Sequence, residues 1–305
     1  MSSSSSSLSS SSLSTLKSNT NSNWVSILAT QYVDNLTDMT IAPISTKTPT
    51  DSGIVKAIIK AHSLGMKVSL KPHVDVGMYS STWRGYISFS NETDWQNWFD
   101  SYKTFINHYA DIASKNKVEM LVIGTELVGT SNRESDWRSV IEGIRARFSG
   151  KIVYAANHDE YAKVKWWDAV DYVGVDAYFS LTQKSTPSVE EMQESFNSQI
   201  LSTTEFAKGF GKEVLITEIG YQSRDRANVT PWYSSGALDL QEQADAYKAT
   251  LEVMRTNPSI VGAFWWNWQP WSTQGGVKDT DYTPHGKPAE TILKQYYLGK
   301  FAYEG

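Results

Sequence analysis

From Trp24 onward, apolar runs of strand length alternate with amphipathic stretches of helix length. The runs are "WVSILAT" from Trp24, "KVSLKPHV" from Lys67, "VEMLVIGTEL" from Val118, "KIVYAANH" from Lys151, "VDYVGVDAYF" from Val170, "EVLITEIGY" from Glu213 and "VGAFWWNW" from Val261. Several are apolar at consecutive positions, which is how strands buried on both faces read. Between them, "TPTDSGIVKAIIKAHSLG" sets Ile54, Ile58 and Ala61 on one stripe and stops at Gly65. After Trp95, apolar residues recur at three and four through Trp98, Phe99, Tyr102, Phe105, Ile106, Tyr109 and Ala113, predicting a long helix with one buried face. Further helices are predicted near Trp137 to Phe148, Ser188 to Phe206, Leu240 to Arg255 and Pro288 to Tyr297, with Ser188 and Glu191 placed as a capping box. Strands alternating with helices predict a parallel sheet with crossover helices.

The first twenty-odd residues break this pattern. Residues 1–20 are Ser-rich and low in complexity, with Leu8, Leu13 and Leu16 as the large apolar side chains. Serine is a poor helix former, so residues 1–7 are expected to be disordered and Leu8 to Lys17 to form a short helix docked on the rest. A basic start and an apolar core are both missing, so this is no signal peptide. The compartment stays open, extracellular being the expectation if an upstream segment has been lost. Residues 21–305 are expected to form one domain, since α/β barrels of roughly 250 residues commonly fold as one.

Composition narrows the chemistry. A net charge of −5 leaves no basic footprint for nucleic acid, and no apolar run is long enough to cross a membrane. Zero cysteines and five scattered histidines argue against a metal site, and no cofactor is expected. Twelve tryptophans and sixteen tyrosines exceed the usual needs of a core and suit stacking on sugar rings.

Two strands end on a carboxylate. "LVIGTEL" carries Glu126 and "EVLITEIGY" carries Glu218 after similar apolar runs. Active sites of α/β barrels are built at the C-terminal ends of the strands. Period-two alternation puts Val214, Ile216 and Glu218 on one face, aimed at that mouth. Two carboxylates converging there fit a retaining glycosidase, in which one acid protonates the leaving oxygen while the other attacks from about 5.5 Å away. Other strand ends add groups able to bind sugar hydroxyls, namely His73 with Asp75 and Asn157 with His158. The loop "MYSSTWRGYISF" brings Trp83 and Arg84 together as an expected stacking platform with a polar donor.

The phrases "NWVSI", "TPTDSGIVKAIIKAHSLGMKVSLKPHVD", "WRGYISF", "VIGTEL", "VGVDAYFSL", "LITEIGYQS", "FWWNW" and "GKPAE" occur in an order that resembles glycoside hydrolase family 113 over about residues 23–297. The resemblance implies a (β/α)8 barrel of TIM type and hydrolysis of β-1,4 bonds in β-mannan or manno-oligosaccharides. It assigns Glu126 as acid/base and Glu218 as nucleophile, Tyr178 as the tyrosine that hydrogen-bonds the nucleophile, and Trp266 as the tryptophan under the reacting sugar. The wider clan places Asn just before the acid/base, where this chain has Thr125. Two other readings stay open: a retaining enzyme acting on another polymer such as β-glucan, and a carbohydrate-binding barrel without activity.

In this clan the two acids end strands 4 and 7, whereas here their strands count as third and sixth. The chain is therefore expected to lack the first barrel strand, leaving a gap between the strands at Trp24 and Val261. Open sheet edges pair readily with other chains, so association through that edge is expected.

Overall fold

The computed structural model describes residues 10–77, 82–270 and 274–299. In chain order the elements are α1 (Ser10–Thr20), β1 (Trp24–Val33), α2 (Asp51–Ser63), β2 (Lys67–Val76), α3 (Glu92–Lys115), β3 (Met120–Thr125), α4 (Glu134–Arg145), β4 (Lys151–Asn157), β5 (Tyr172–Asp176), α5 (Val189–Lys208), β6 (Val214–Ile219), α6 (Leu240–Thr256), β7 (Ile260–Trp265) and α7 (Pro288–Tyr297). Parallel pairing joins β1 to β2, β2 to β3, β3 to β4 and β6 to β7, and the strand order follows the chain from β1 to β7. Seven parallel strands interleaved with helices make a (β/α)8 TIM-barrel type fold, with one strand fewer than the full set among the described residues. Residues 10–20 are helical, so they do not supply an eighth strand.

The chain divides into two compact units. In the first, Trp24–Val175, α3 buries the apolar stripe read from its spacing, from Trp98 and Phe99 to Ala113. Asn91 caps it by accepting from Asp94 N–H at 2.9 Å. Thr50 does the same for α2, accepting from Gly53 N–H at 3.2 Å, and Gly65 ends that helix at a φ of 71°. Only glycine takes that left-handed conformation without a side-chain penalty.

Among the described residues, the second unit comprises 10–23, 176–270 and 274–299. Here α1 buries Leu13 and Leu16, and Asn19 donates to Glu290 at 3.2 Å and Asn21 to Tyr297 O at 3.1 Å, tying the helix to α7. The helix runs three residues beyond Lys17, while Leu8 and residues 1–7 lie outside the described residues. The Ser188–Glu191 capping box is present at the start of α5.

Several strands stop short of their apolar runs. β3 ends at Thr125, one residue before Glu126; β4 ends at Asn157, before His158; β5 ends at Asp176, two residues before Tyr178; β7 ends at Trp265, before Trp266. The tails of these runs leave the sheet and become the loops that carry polar groups, so apolar continuity overstated the strands. β7 is last in the strand order, and its residues stay partly exposed, Val261 to 42 %.

Candidate active site

Glu126 is set by an irregularity in β3. Between Val122 and Thr125, β3 advances three residues while β4 advances two, from Val153 to Ala155. Such a bulge disrupts the ladder and re-aims the side chains just beyond it. The carbonyl of Ile123 accepts instead from Tyr102 Oη at 2.7 Å. Gly124 sits in the bulge because a Cβ there would lie 2.8 Å from both the Trp137 and Tyr154 rings. Glu126 then adopts a φ of 51°, a left-handed conformation that costs roughly 1–2 kcal/mol in a residue with a Cβ. Two hydrogen bonds offset it: Glu126 N–H donates to Ala155 O at 2.8 Å, and Leu127 N–H donates to Tyr154 Oη at 2.9 Å.

The Glu126 carboxylate is partly exposed, and its Oε2 accepts from Trp83 Nε1 at 3.0 Å and Arg84 Nη2 at 3.3 Å. Arg84 also hydrogen-bonds Asp75 near the end of β2, so one guanidinium serves two carboxylates. Trp83 and Arg84 thus touch Glu126 itself; the residues 78–81 that precede them lie outside the described residues. His73 is buried in β2. Burial, with the positive charges of Arg84 and Lys71, holds its imidazole well below the usual range and therefore neutral at pH 7. His158 is lowered by burial too, opposed by Asp159 and Glu126. Asn157 closes a local turn, accepting from His158 N–H at 2.9 Å and donating to Asp159 at 3.0 Å.

In the second unit, Glu218 lies within β6 and is buried. Between Ile216 and Ile219, β6 advances three residues against two on β7, from Ala263 to Trp265, so this glutamate also sits at a register shift. All six residues of β6 are buried. Tyr178 donates its hydroxyl to Glu218 Oε2 at 2.9 Å, while Ala177 N–H donates to Glu218 O at 2.7 Å. Thr217 donates to the buried Asp176 at 2.6 Å. Trp266 comes directly after β7, and its N–H donates to Ile219 O at 2.7 Å. Gly220 makes room for it, since a Cβ there would fall 2.3 Å from Trp266 O.

Each unit therefore holds a strand-end glutamate with hydrogen-bond donors already on one oxygen. The family description Glycoside Hydrolase Family 113 matches residues 3–287. The chain belongs to glycoside hydrolase family 113. It is a glycoside hydrolase, and it is similar to solved members of that family. A GH113 β-1,4-mannanase shares 29% identity at a TM-score of 0.86, covering 95% of this chain and 93% of that one. The GH113 β-mannanase AaManA from Alicyclobacillus acidocaldarius in complex with ManMIm shares 28% at 0.84, covering 95% and 92%. A fungal β-1,4-galactanase, at 15% identity and a TM-score of 0.59 over 92% and 89%, is alike in fold alone. No curated protein matches the chain.

For this family 113 chain, sequence reasoning missed three groups around the glutamates. Tyr154 reads as one more aromatic in an apolar strand, and Glu160 as a solvated loop acid, yet both are buried. Tyr282 places its ring near Gly220, and burial, Asp281 and Glu218 push its hydroxyl up. Among the described residues, Asp225, Asp239 and Glu242 are close enough to share a cation, their ligand atoms within 4.8 Å of one another. Two of the three already serve the backbone: Glu242 accepts from Arg226 N–H at 2.9 Å and Asn228 N–H at 2.8 Å, and Asp239 caps α6 by accepting from Glu242 N–H at 2.9 Å.

Proposed function

We propose that this hydrolase cleaves β-1,4-mannosidic bonds in mannan or manno-oligosaccharides with retention of configuration, Glu218 acting as nucleophile and Glu126 as acid/base. The observation that carries the reading is the pair itself. Two glutamates at the C-terminal ends of the third and sixth strands each meet a hydrogen-bond donor, in a family 113 chain whose solved relatives are named β-mannanases. In the first step Glu218 attacks the anomeric carbon as its bond to the leaving oxygen breaks, and Glu126 gives that oxygen a proton. In the second, Glu126 takes a proton from water, the water oxygen bonds to the same carbon, and Glu218 departs as carboxylate. The hydroxyl of Tyr178 orients the attacking carboxylate; Trp83 and Arg84 orient the proton donor. His73, Asn157 and Trp266 are assigned to sugar contacts on the strength of their strand-end positions.

Reducing-sugar release from β-mannan, β-glucan and xylan tests the substrate, and proton NMR of the first product tests the stereochemistry. Release from mannan with the β-anomer formed first is expected. Release from glucan alone would overturn the substrate, and an α-anomer formed first would overturn the mechanism.

A further inference from the structure

Tyr154 stands beneath the chain that leaves β3. Its hydroxyl accepts from Leu127 N–H at 2.9 Å and donates to Glu160 Oε1 at 2.6 Å; the other carboxyl oxygen of Glu160 accepts from Asn157 N–H at 2.9 Å. The Tyr154 ring is fixed edge-on to Trp137 and Trp166, at centroid distances of 5.2 and 5.0 Å, and those two indoles stack at 5.0 Å and 16°. Both indoles also hold the next stretch of chain: Trp137 Nε1 donates to Thr130 O at 3.1 Å and Trp166 Nε1 to Ser131 O at 3.0 Å. Residues 127–131 thus rest on three aromatic side chains that each supply a polar contact.

Glu160 makes this arrangement unusual. It is wholly buried, and no ion pair to it exists among the described residues. A buried carboxyl without a cation costs stability, and its hydrogen bonds to Tyr154 Oη and Asn157 N–H offset that cost. What the pair contributes is local. The hydroxyl of Tyr154 is the acceptor for the amide just after Glu126, and it helps to hold that residue in its left-handed backbone.

We propose that Tyr154 and Glu160 are positioning residues for proton transfer by Glu126, with Glu160 orienting the tyrosine hydroxyl and the hydroxyl fixing the peptide that aims the carboxyl. This rests on the acid/base reading of Glu126. Loss of aim at the proton donor slows departure of a poor leaving group and spares a good one, because a good one leaves without a proton. A merely structural loss slows both alike.

The test compares Tyr154→Phe, Glu160→Gln, Glu126→Ala and the Tyr154→Phe/Glu126→Ala double variant on mannohexaose and on 2,4-dinitrophenyl β-mannobioside. For Tyr154→Phe we expect kcat/KM, which reads the first step alone, to fall at least about 10-fold on mannohexaose and less than about 3-fold on the aryl glycoside, a part of the 100-fold or more that a positioned acid supplies. Glu160→Gln, which keeps one acceptor oxygen of two, is expected to show the same split with smaller amplitude, and it carries the test if Tyr154→Phe does not fold. The double variant should be no slower than Glu126→Ala alone, since groups acting through one another are not additive. Equal losses on both substrates in the positioning variants, or fully additive losses in the double variant, would overturn the proposal. If Glu126→Ala itself showed no split, the acid/base reading would fall and this inference with it; a split there without one in Tyr154→Phe or Glu160→Gln sinks this inference alone.

Discussion

The surroundings of Glu126 and Glu218 solve one problem in two ways. Glu126 stands just outside β3 on a strained left-handed backbone, and its donors, Trp83 and Arg84, come from a loop some forty residues earlier in the chain. Glu218 stays within β6, is buried, and takes a hydroxyl from Tyr178 just past β5. Both lie at a register shift of one residue. The difference teaches that residue type does not fix a carboxylate's work. One group is wrapped in cationic and indole donors on a bent chain, and the other is set rigidly in the sheet beside a neutral phenol. On the proposed roles, the rigid one attacks and the bent one handles protons.

The largest effect should come from the rigid side. Glu218→Ala is expected to lower turnover on mannan by at least about 1,000-fold while mannohexaose still binds, because covalent bond formation is lost and the side chains assigned to sugar contacts are kept. Calorimetry reads the binding, and azide should restore turnover on the aryl glycoside with an α-configured product. More than a few per cent of residual activity would remove Glu218 from the nucleophile role. On the bent side, Glu126→Ala should cost about 100-fold in kcat/KM on mannan and much less in kcat/KM on a substrate with a good leaving group; equal losses would erase the contrast between the two acids.

The next effect is on stability. Burial pushes the Glu160 carboxyl up to about 7, against partly compensating hydrogen bonds from Tyr154, Asn157 and Ser131. With its folded value above its unfolded one, the group's contribution is fully present below pH 4.5 and is lost as pH rises through about 7, a fall of about 3 kcal/mol. Urea unfolding at pH 4.5 and 8 should show this decline in the wild type and a flatter one in Glu160→Gln. Parallel pH dependences would mean that the carboxyl is not held neutral in the folded chain.

The smallest effects sharpen the comparison. Tyr178→Phe removes the hydroxyl on Glu218 and should lower kcat about 10-fold, since a hydrogen bond to a charged group contributes about 1.5–3 kcal/mol. Trp83→Phe removes one donor from Glu126 but leaves Arg84 within 3.3 Å, so a loss of about 3-fold is expected. Steady-state kinetics on mannohexaose ranks the two, and a larger loss for Trp83→Phe would reverse the order drawn here.

The sequence by itself determined the periodic skeleton. Apolar runs and three-four spacing located seven strands and their helices, α7 to its bounds at Pro288–Tyr297, and Ser188 with Glu191 marked the start of α5 through a contact three residues long. Glu126 and Glu218 were visible for the same reason, as charges at the ends of apolar runs. Local contacts and periodic burial are written in neighbouring residues, so one pass along the chain finds them. Only the tertiary structure decided the two register shifts, the left-handed turn at Glu126, the reach of Trp83 and Arg84 to its carboxyl, and the burial of Glu160 beneath Leu127. Each depends on which distant segment fills the space beside a given backbone, and packing against another strand or loop leaves no period along the chain.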